Sequence, residues 1–506
     1  MKSTHCFMIA AAAGILLCAA FTQTGCKSCR TTPEQSESPV ETAQTTVPET
    51  TRIPVQESTQ ESTAVPETEP VTIPTKSENV IRYRTFFGKT MQDQVAELNL
   101  RTLATEGSML FDVLSDETYT AERILQMIES YSLNSFVTLN GQPFTDEQKQ
   151  ALDAYRNLEG LRTLAADKKT IDKQWAILTE NANVRSFPTE DVGLSAGMDP
   201  HFDLFQETKL LYATGVQVLW HTADWKWYFV QGENYYGWIK AEDFAFCSFE
   251  DFEFFVSPSD FLVTVSTGGS KPWHRMGVIL PMEQTVSKDG GYQVRIPVRN
   301  SDGTLKKQLY ILGAGGIDEG EYNLGFLEFS NEALRQMMTK MIGVPYGWGD
   351  MDNEGRMAYD CSSTVNSALR VFGIYMPRNS SCYKYSGAEV IDVSGMSTEE
   401  KYRVLEEHPV AALMAPGHVM FNDHVYNETS SDPQTKAMHS IIHNTSMYGT
   451  KQRTDAGEQI VSTPFYECVR TEFEEMYRND NTDMYITKLA LVIDFEAATS
   501  PALKKY

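Results

Sequence analysis

Residues 360–372 read Asp-Cys-Ser-Ser-Thr-Val-Asn-Ser-Ala-Leu-Arg-Val-Phe, and this stretch decides the fold of the C-terminal part of the chain. Its apolar residues recur at the spacing of one helix face, at Val365, Ala368, Leu369 and Phe372. Asp360 is a suitable N-cap, so Cys361 falls in the first turn of the predicted helix. Unpaired N–H groups and the helix dipole stabilise a thiolate there. We therefore expect a lowered pKa for Cys361 and a role as nucleophile.

A cysteine nucleophile needs a partner that exchanges protons near neutrality, and histidine is the suitable side chain. His418 begins a predicted strand of alternating polarity, where a junction between loop and strand can aim it at a helix terminus. On a second predicted strand, residues 438–444, His439 and His443 share one face. His443 can orient the base as a third member of the site, and His439 is the alternative.

Five short motifs surround these candidates: Pro345-Tyr346-Gly347-Trp348-Gly349, Asp360-Cys361-Ser362, Pro377-Arg378-Asn379-Ser380, Gly417-His418-Val419-Met420 and His443-Asn444. Together they resemble the NlpC/p60 family of cell-wall cysteine peptidases. The resemblance implies a papain-like α+β domain over residues 331–506, in which Cys361 attacks, His418 is the base and His443 orients it. It also implies hydrolysis of the γ-D-glutamyl bond to a diamino acid in peptidoglycan stem peptides. Thiol chemistry of this kind implies no metal or organic cofactor.

The same resemblance implies roles in substrate binding for four residues. Tyr346 would line the oxyanion side of the cleft, whereas Asp360, Ser362 and Ser380 would bind the N-terminal end of the substrate. In the branch of the family that carries several barrels, the first SH3-like barrel closes one end of the cleft. Stem peptides with a free N-terminal L-alanine would then be preferred, and the Asp360 carboxylate could pair with their ammonium group.

The sequence also departs from the family pattern at several points. Asp350 and Ser363 stand where many relatives have glycine. The family tryptophan after His443 is absent, since residues 447–449 read Met-Tyr-Gly. A polar insertion over residues 427–436 lengthens the segment between the two candidate histidines.

Upstream of this domain the hydrophobic period changes twice. Residues 80–173 have helical spacing, which predicts a small helical domain. Residues 174–330 alternate with a period of two, and Gly237-Trp238-Ile239 resembles the closing strands of bacterial SH3-like barrels. We expect two such domains, at 174–249 and 250–330. The predicted fold class is therefore multidomain α+β: a helical N-terminal unit, two SH3-like β-barrels and the catalytic domain.

The N-terminal residues predict export. Residues 1–26 carry an apolar run that is too short to span a bilayer, which is typical of a signal peptide. Thr24-Gly25-Cys26 resembles a lipobox, so Cys26 is a candidate for lipidation and for attachment to the membrane, with plain secretion as the alternative. Residues 27–79 are rich in Thr, Glu, Pro and Ser, and predict a disordered stalk.

Composition and cysteine usage exclude several classes of protein. The formal net charge is -25 and the chain has no basic block able to neutralise phosphates, which argues against nucleic acid as a partner. After Cys29 the cysteines are widely spaced and form no CxxC pair, which argues against a disulfide scaffold or a metal site.

Two other functions are compatible with the sequence. The same Cys-His core could act as an amidase that cuts between the glycan lactyl group and L-alanine. A wall-binding lipoprotein with a decayed catalytic domain is the second alternative, although the presence of Asp360, Cys361, His418 and His443 in one chain argues against decay.

Overall fold

The computed structural model describes residues 93–115, 117–197, 199, 201–286, 291–313, 321–423, 439–454, 457–478 and 483–496, with two short strands at 85–86 and 89–90. The predicted signal peptide, the candidate lipidation site at Cys26 and the predicted stalk lie outside these residues. In the part of the chain that is described, no helix is both long and apolar enough to cross a bilayer.

Four helices and two small sheets occupy the N-terminal part of the described residues. These elements are β1 (Thr85–Phe86), β2 (Lys89–Thr90), α1 (Asp93–Ala104), β3 (Tyr119–Thr120), α2 (Ala121–Glu129), α3 (Asp146–Tyr155), α4 (Leu158–Ala166) and β4 (Thr170–Ile171). Thr120 caps α2 by accepting a hydrogen bond from the Arg123 N–H. Thr145 and Gln148 form a capping box at the start of α3.

These helices pack in two different places. Ile124 of α2 and Leu161 of α4 are fully buried in one cluster with Trp238, which lies in the β-rich region that follows. Helix α1 instead packs into the core of the C-terminal domain. The side-chain amide of its Asn99 donates to the Gly373 carbonyl at 2.7 Å and accepts from the Tyr375 N–H at 3.0 Å.

A seven-stranded antiparallel sheet follows, in the spatial order β11-β5-β8-β9-β10-β6-β7. Its strands are β5 (Gln174–Leu178), β6 (Ala182–Arg185), β7 (Gln206–Leu210), β8 (Gly215–His221), β9 (Trp227–Gln231), β10 (Tyr236–Lys240) and β11 (Phe244–Cys247). Helix α5 (Phe249–Val256) leads into a five-stranded sheet of order β15-β14-β13-β12-β16. That sheet contains β12 (Phe261–Thr264), β13 (Ile279–Val286), β14 (Tyr292–Arg299), β15 (Leu305–Leu312) and β16 (Tyr322–Leu324).

The C-terminal domain joins helices to a six-stranded antiparallel sheet of order β17-β22-β18-β19-β20-β21. Its elements are α6 (Asn331–Lys340), α7 (Cys361–Arg370), β17 (Glu389–Asp392), α8 (Thr398–Glu407), β18 (Ala411–Ala415), β19 (His418–Asn422), β20 (Ser440–Thr454), β21 (Gly457–Glu472) and β22 (Leu491–Asp494). Helix α7 packs on β19 and β20 and buries the apolar face predicted from its spacing. The predicted multidomain α+β fold class is therefore confirmed.

Candidate active site

Cys361 is the first residue of α7. Asp360 caps the helix, since its carboxylate accepts the Ser363 N–H at 2.9 Å. The Ser363 hydroxyl completes a capping box by accepting the Asp360 N–H at 2.9 Å. The thiol thus lies at the helix terminus, as the sequence predicts, and reciprocal hydrogen bonds hold that terminus. The Cys361 side chain remains partly exposed to solvent.

His418 lies next to this terminus because of a tight turn. Strands β18 and β19 pair Ala415 with His418, so only Pro416 and Gly417 connect them. Gly417 has φ 77°, a left-handed conformation that glycine adopts without strain. The turn brings the backbone N–H of Val419 within hydrogen-bonding distance of the Cys361 thiol.

His443 and His439, the two candidates for the third catalytic residue, have different surroundings. His443 lies on β20, beside β19, and its Nδ1 is 2.9 Å from Nε2 of His418. Its Nε2 is 3.3 Å from the Thr471 hydroxyl. His439 instead pairs with Glu474 at 2.6 Å and stacks on Tyr402. The structure thus brings Cys361, His418 and His443 together and leaves His439 outside this group. Among the described residues, no cluster of His, Cys, Asp and Glu is arranged to hold a metal ion.

Burial controls the protonation of the site. Burial, and next the nearby Asp360 carboxylate, raise the pKa of Cys361 to about 12. Burial lowers the pKa of His418 to about 4 and that of His443 well below its ordinary value. The expectation of a lowered cysteine pKa is therefore wrong for the resting site, because desolvation outweighs the helix terminus and the Val419 N–H. At neutral pH the thiol and both imidazoles are uncharged.

Asp350 and Ser363, which stand where many relatives have glycine, interact with one another. Asp350 has φ 67°, a conformation that favours glycine, and only 2% of its surface is exposed. Its carboxylate accepts the Ser363 hydroxyl and, at 3.0 Å, the Asp360 N–H. Arg275 and Arg378 lie 3.3 and 3.4 Å from its second oxygen. Asp350 and Ser363 thus form one buried network beneath the start of α7.

Arg378 forms an ion pair with the carboxylate of Asp360. Its guanidinium lies 2.5 Å from the second carboxylate oxygen of Asp360 and donates to the Ser362 hydroxyl at 2.8 Å. Its Nε donates to the Thr208 hydroxyl at 2.5 Å, which connects the catalytic domain to β7 of the seven-stranded sheet. The predicted substrate residues Asp360 and Ser362 are thus neighbours. A substrate ammonium at Asp360 would have to share its carboxylate with Arg378. Ser380, also predicted, follows two residues after Arg378 and is half-buried.

A second carboxylate, which the sequence analysis did not identify, lies near this group. Glu207, on β7, accepts the hydroxyl of Tyr235 at 2.5 Å. Burial raises the pKa of Glu207 to about 7, although the Tyr235 hydrogen bond and the positive charge of Arg378 oppose this rise. Both side chains keep some exposure to solvent. Glu207 lies in a short strand, Gln-Glu-Thr-Lys-Leu, that carries no recognisable motif, so no local signal marks it.

Tyr346, the residue predicted for the oxyanion side, is buried at a junction of two domains. Its backbone N–H donates to the Tyr466 carbonyl of β21 at 2.8 Å. Its ring centroid lies 6.3 Å from that of Phe202, which also contacts Trp348 at 5.7 Å. Phe202 precedes β7, so the connection between β6 and β7 contributes a second contact to this part of the domain.

Comparisons with known proteins agree with this architecture. A family model for an SH3 domain of SH3b1 type matches residues 194–240, within the predicted first barrel. A solved NlpC/P60 endopeptidase from Photobacterium damselae subsp. piscicida has a TM-score of 0.56 at 16% identity, covering 79% of this chain and 92% of its own. An NlpC/P60 family protein from Bacillus cereus ATCC 10987 has a TM-score of 0.37 at 14% identity, covering 63% of this chain and 99% of its own. A comparison with curated protein sequences gave no match. The resemblance predicted from the motifs is confirmed at the level of the fold: this chain has the fold of the NlpC/P60 endopeptidases, with an SH3b-type domain ahead of the catalytic domain.

Proposed function

We propose that this chain is a cysteine peptidase that hydrolyses the γ-D-glutamyl bond to a diamino acid in peptidoglycan stem peptides. One observation carries the proposal. The Cys361 thiol receives the N–H of Val419, the residue after His418, and the imidazole of His418 contacts that of His443 at 2.9 Å. A thiol, a base and a group that orients the base are what nucleophilic attack on an amide requires.

The tautomers follow from the direction of proton transfer. To take the thiol proton on Nδ1, His418 must carry its own proton on Nε2 and donate it to Nδ1 of His443. His443 then carries its proton on Nε2 and donates to the Thr471 hydroxyl, 3.3 Å away. The Thr471 oxygen is also 2.8 Å from the Tyr448 hydroxyl, so it can accept from His443 while bonding Tyr448. This chain of hydrogen bonds fixes the base in one orientation.

The reaction then proceeds from a neutral pair. Because burial favours the uncharged thiol and imidazole, His418 removes the proton as the sulfur attacks the γ-carbonyl carbon of the D-glutamyl residue. The N-terminal N–H groups of α7, with Tyr346, stabilise the oxyanion. The protonated His418 donates its proton to the amine of the diamino acid as the C–N bond breaks. Water, activated by His418, hydrolyses the remaining thioester.

The N-terminal end of the substrate is proposed to bind where β7 meets the catalytic domain. Asp360, Ser362 and Ser380 provide hydrogen-bond acceptors there, but Arg378 already balances the charge of Asp360 at 2.5 Å. Glu207 is the carboxylate that remains for the ammonium of L-alanine, assisted by the Tyr235 hydroxyl. An ammonium beside Glu207 would favour its charged form. An acylated amine would gain no such ion pair, which supports a preference for stem peptides that are already free of glycan.

The experiment that tests the proposal separates it from amidase activity. The protein is given either the free tripeptide L-Ala-γ-D-Glu-diaminopimelate or the same tripeptide attached to muramic acid, and the products are weighed. We expect L-Ala-D-Glu and diaminopimelate from the free tripeptide, with slower cleavage of the muramoyl form. Release of an intact tripeptide from the muramoyl substrate would establish the amidase alternative. We further propose that the protein works outside the cytoplasm, attached through a lipid on Cys26.

A further inference from the structure

Three aromatic rings form a stack at the turn between β8 and β9. The imidazole of His221 is stacked on the indole of Trp220, with an interplanar angle of 21° and centroids 5.3 Å apart. It is also stacked on the indole of Trp225, at 12° and 3.3 Å. Trp220 is anchored by its indole N–H, which donates to the Arg156 carbonyl at 3.1 Å. Trp225, in contrast, is 56% exposed. One face of its indole covers His221 and the other faces solvent.

The backbone at Trp225 is strained. Its φ of 62° is a left-handed conformation, which is unfavourable for a bulky side chain and would suit glycine or asparagine. The turn is nevertheless held firmly, since the N–H of Trp225 donates to the Thr222 carbonyl at 3.1 Å and the N–H of Lys226 donates to the Asp224 carboxylate at 3.2 Å. A large apolar ring kept in a strained and exposed position points to a function for the ring itself.

Polar groups surround the exposed indole. Asp224 accepts hydrogen bonds from the hydroxyls of Thr222 at 2.9 Å and Tyr155 at 3.3 Å. The ammonium of Lys226 lies 3.2 Å from the same carboxylate, so the two charges balance. Burial lowers the pKa of His221, which keeps the stacked imidazole neutral at neutral pH. The surface therefore offers a flat apolar face, several hydrogen-bonding groups and no net charge.

We propose that Trp225 and its neighbours Asp224, Lys226 and Tyr155 form a carbohydrate-binding platform for a pyranose ring. The apolar C–H face of a sugar can stack on the open face of the indole, while the carboxylate, ammonium and phenol hydroxyl bond the sugar hydroxyls. The neutral rim suits an uncharged sugar better than an anionic polymer. That the sugar belongs to wall glycan rests on the proposed function.

This platform is separate from the proposed catalytic cleft. Trp225 precedes β9 and Tyr235 follows it, so the two lie at opposite ends of the five-residue strand Trp227–Gln231, roughly 15 Å or more apart. The chain can thus hold glycan at one end of the sheet while the cleft at the other end takes peptides. Such a platform would keep the enzyme where stem peptides are released.

The test measures binding of the full chain to N-acetylglucosamine oligomers and to glycan strands stripped of peptides, by co-sedimentation and by tryptophan fluorescence. We expect Trp225→Ala to weaken binding by about tenfold or more, since the area buried against the sugar is lost. Phe249→Ala removes another exposed aromatic ring, 43% exposed, and should bind like the wild type. Trp225→Gly should lose binding equally without unfolding at a lower temperature, because glycine tolerates the backbone conformation.

Three results would overturn the platform: unchanged glycan binding by Trp225→Ala, an equal loss in Phe249→Ala, or binding by the wild type to lipid vesicles and not to glycan. Hydrolysis of the free tripeptide is measured on the same samples and should be unchanged in Trp225→Ala. Glycan binding that depends on Trp225 in a chain with no tripeptide hydrolysis would retain the platform and reject the proposed activity. The reverse pattern would reject only the platform.

Discussion

Replacing Asp350 by glycine should weaken both the fold and the site, because the carboxylate balances buried charge beneath α7. Arg275, only 1% exposed, would keep the Ala358 carbonyl at 2.8 Å but lose its carboxylate at 3.3 Å. Removing one partner of a buried ion pair costs about 3–5 kcal/mol. Relief of the left-handed backbone, with φ 67°, returns about 1 kcal/mol. We therefore expect Asp350→Gly to lower the free energy of unfolding by about 2–4 kcal/mol.

A double-mutant cycle that combines Asp350→Gly with Ser363→Gly measures the coupling energy between these two residues. Their hydrogen bond joins a hydroxyl to a carboxylate, so the coupling energy should be about 1–2 kcal/mol in urea unfolding. Loss of the 3.0 Å bond to the Asp360 N–H also loosens the helix start, and kcat should fall about tenfold or more with little change in KM. Glu354→Gly is the matched control, because Glu354 also has a left-handed backbone, with φ 51°, but its side chain is exposed and its loss should cost far less. A stable and fully active Asp350→Gly protein, or zero coupling, would refute this reasoning.

The remaining predictions concern pH, substrate binding and attachment. Protonated His418 cannot accept the thiol proton, so kcat at saturating substrate should fall as pH drops through about 4, and an acid limb of kcat near 6.5 would contradict the neutral resting pair. KM for the free tripeptide should rise as pH falls below about 7, where Glu207 becomes protonated. Glu207→Gln should have a high KM that no longer varies with pH in this range. A variant with the same pH profile of KM as the wild type would reject the role of Glu207. Cys26→Ala should release the protein from membranes, as cell fractionation will show, and a variant that stays with the membrane fraction would mean another anchor.

Local chemistry made much of the fold predictable from the sequence. The helix that starts at Cys361 follows from apolar spacing and from an N-cap, and both are properties of neighbouring residues. The capping box of Thr145 and Gln148 is likewise a local signal. The turn that presents His418 contains Pro416 and Gly417, and short turns of this kind depend on residue type.

Features that depend on tertiary packing were not predictable in the same way. The pKa of Cys361 depends on how completely the folded chain buries the thiol, whereas the sequence indicates only the helix terminus. Glu207 comes near the catalytic domain because β7 contacts Arg378, a pairing between residues far apart in the chain. Asp350 stands where many relatives have glycine, which is compatible with its left-handed backbone. The two arginines that pair with its carboxylate, Arg275 and Arg378, come from different domains, so local sequence does not reveal them.

The central claim is that the Cys361 thiol cuts the γ-D-glutamyl bond. The most direct measurement is mass spectrometry of L-Ala-γ-D-Glu-diaminopimelate after incubation with the wild type, with Cys361→Ala and with Cys247→Ala, which removes a partly buried thiol of the SH3-like region as a control. We predict L-Ala-D-Glu and diaminopimelate from the wild type and from Cys247→Ala, and intact tripeptide from a folded Cys361→Ala protein. The same products at the wild-type rate from Cys361→Ala, or cleavage at the L-Ala–D-Glu bond instead, would contradict the account.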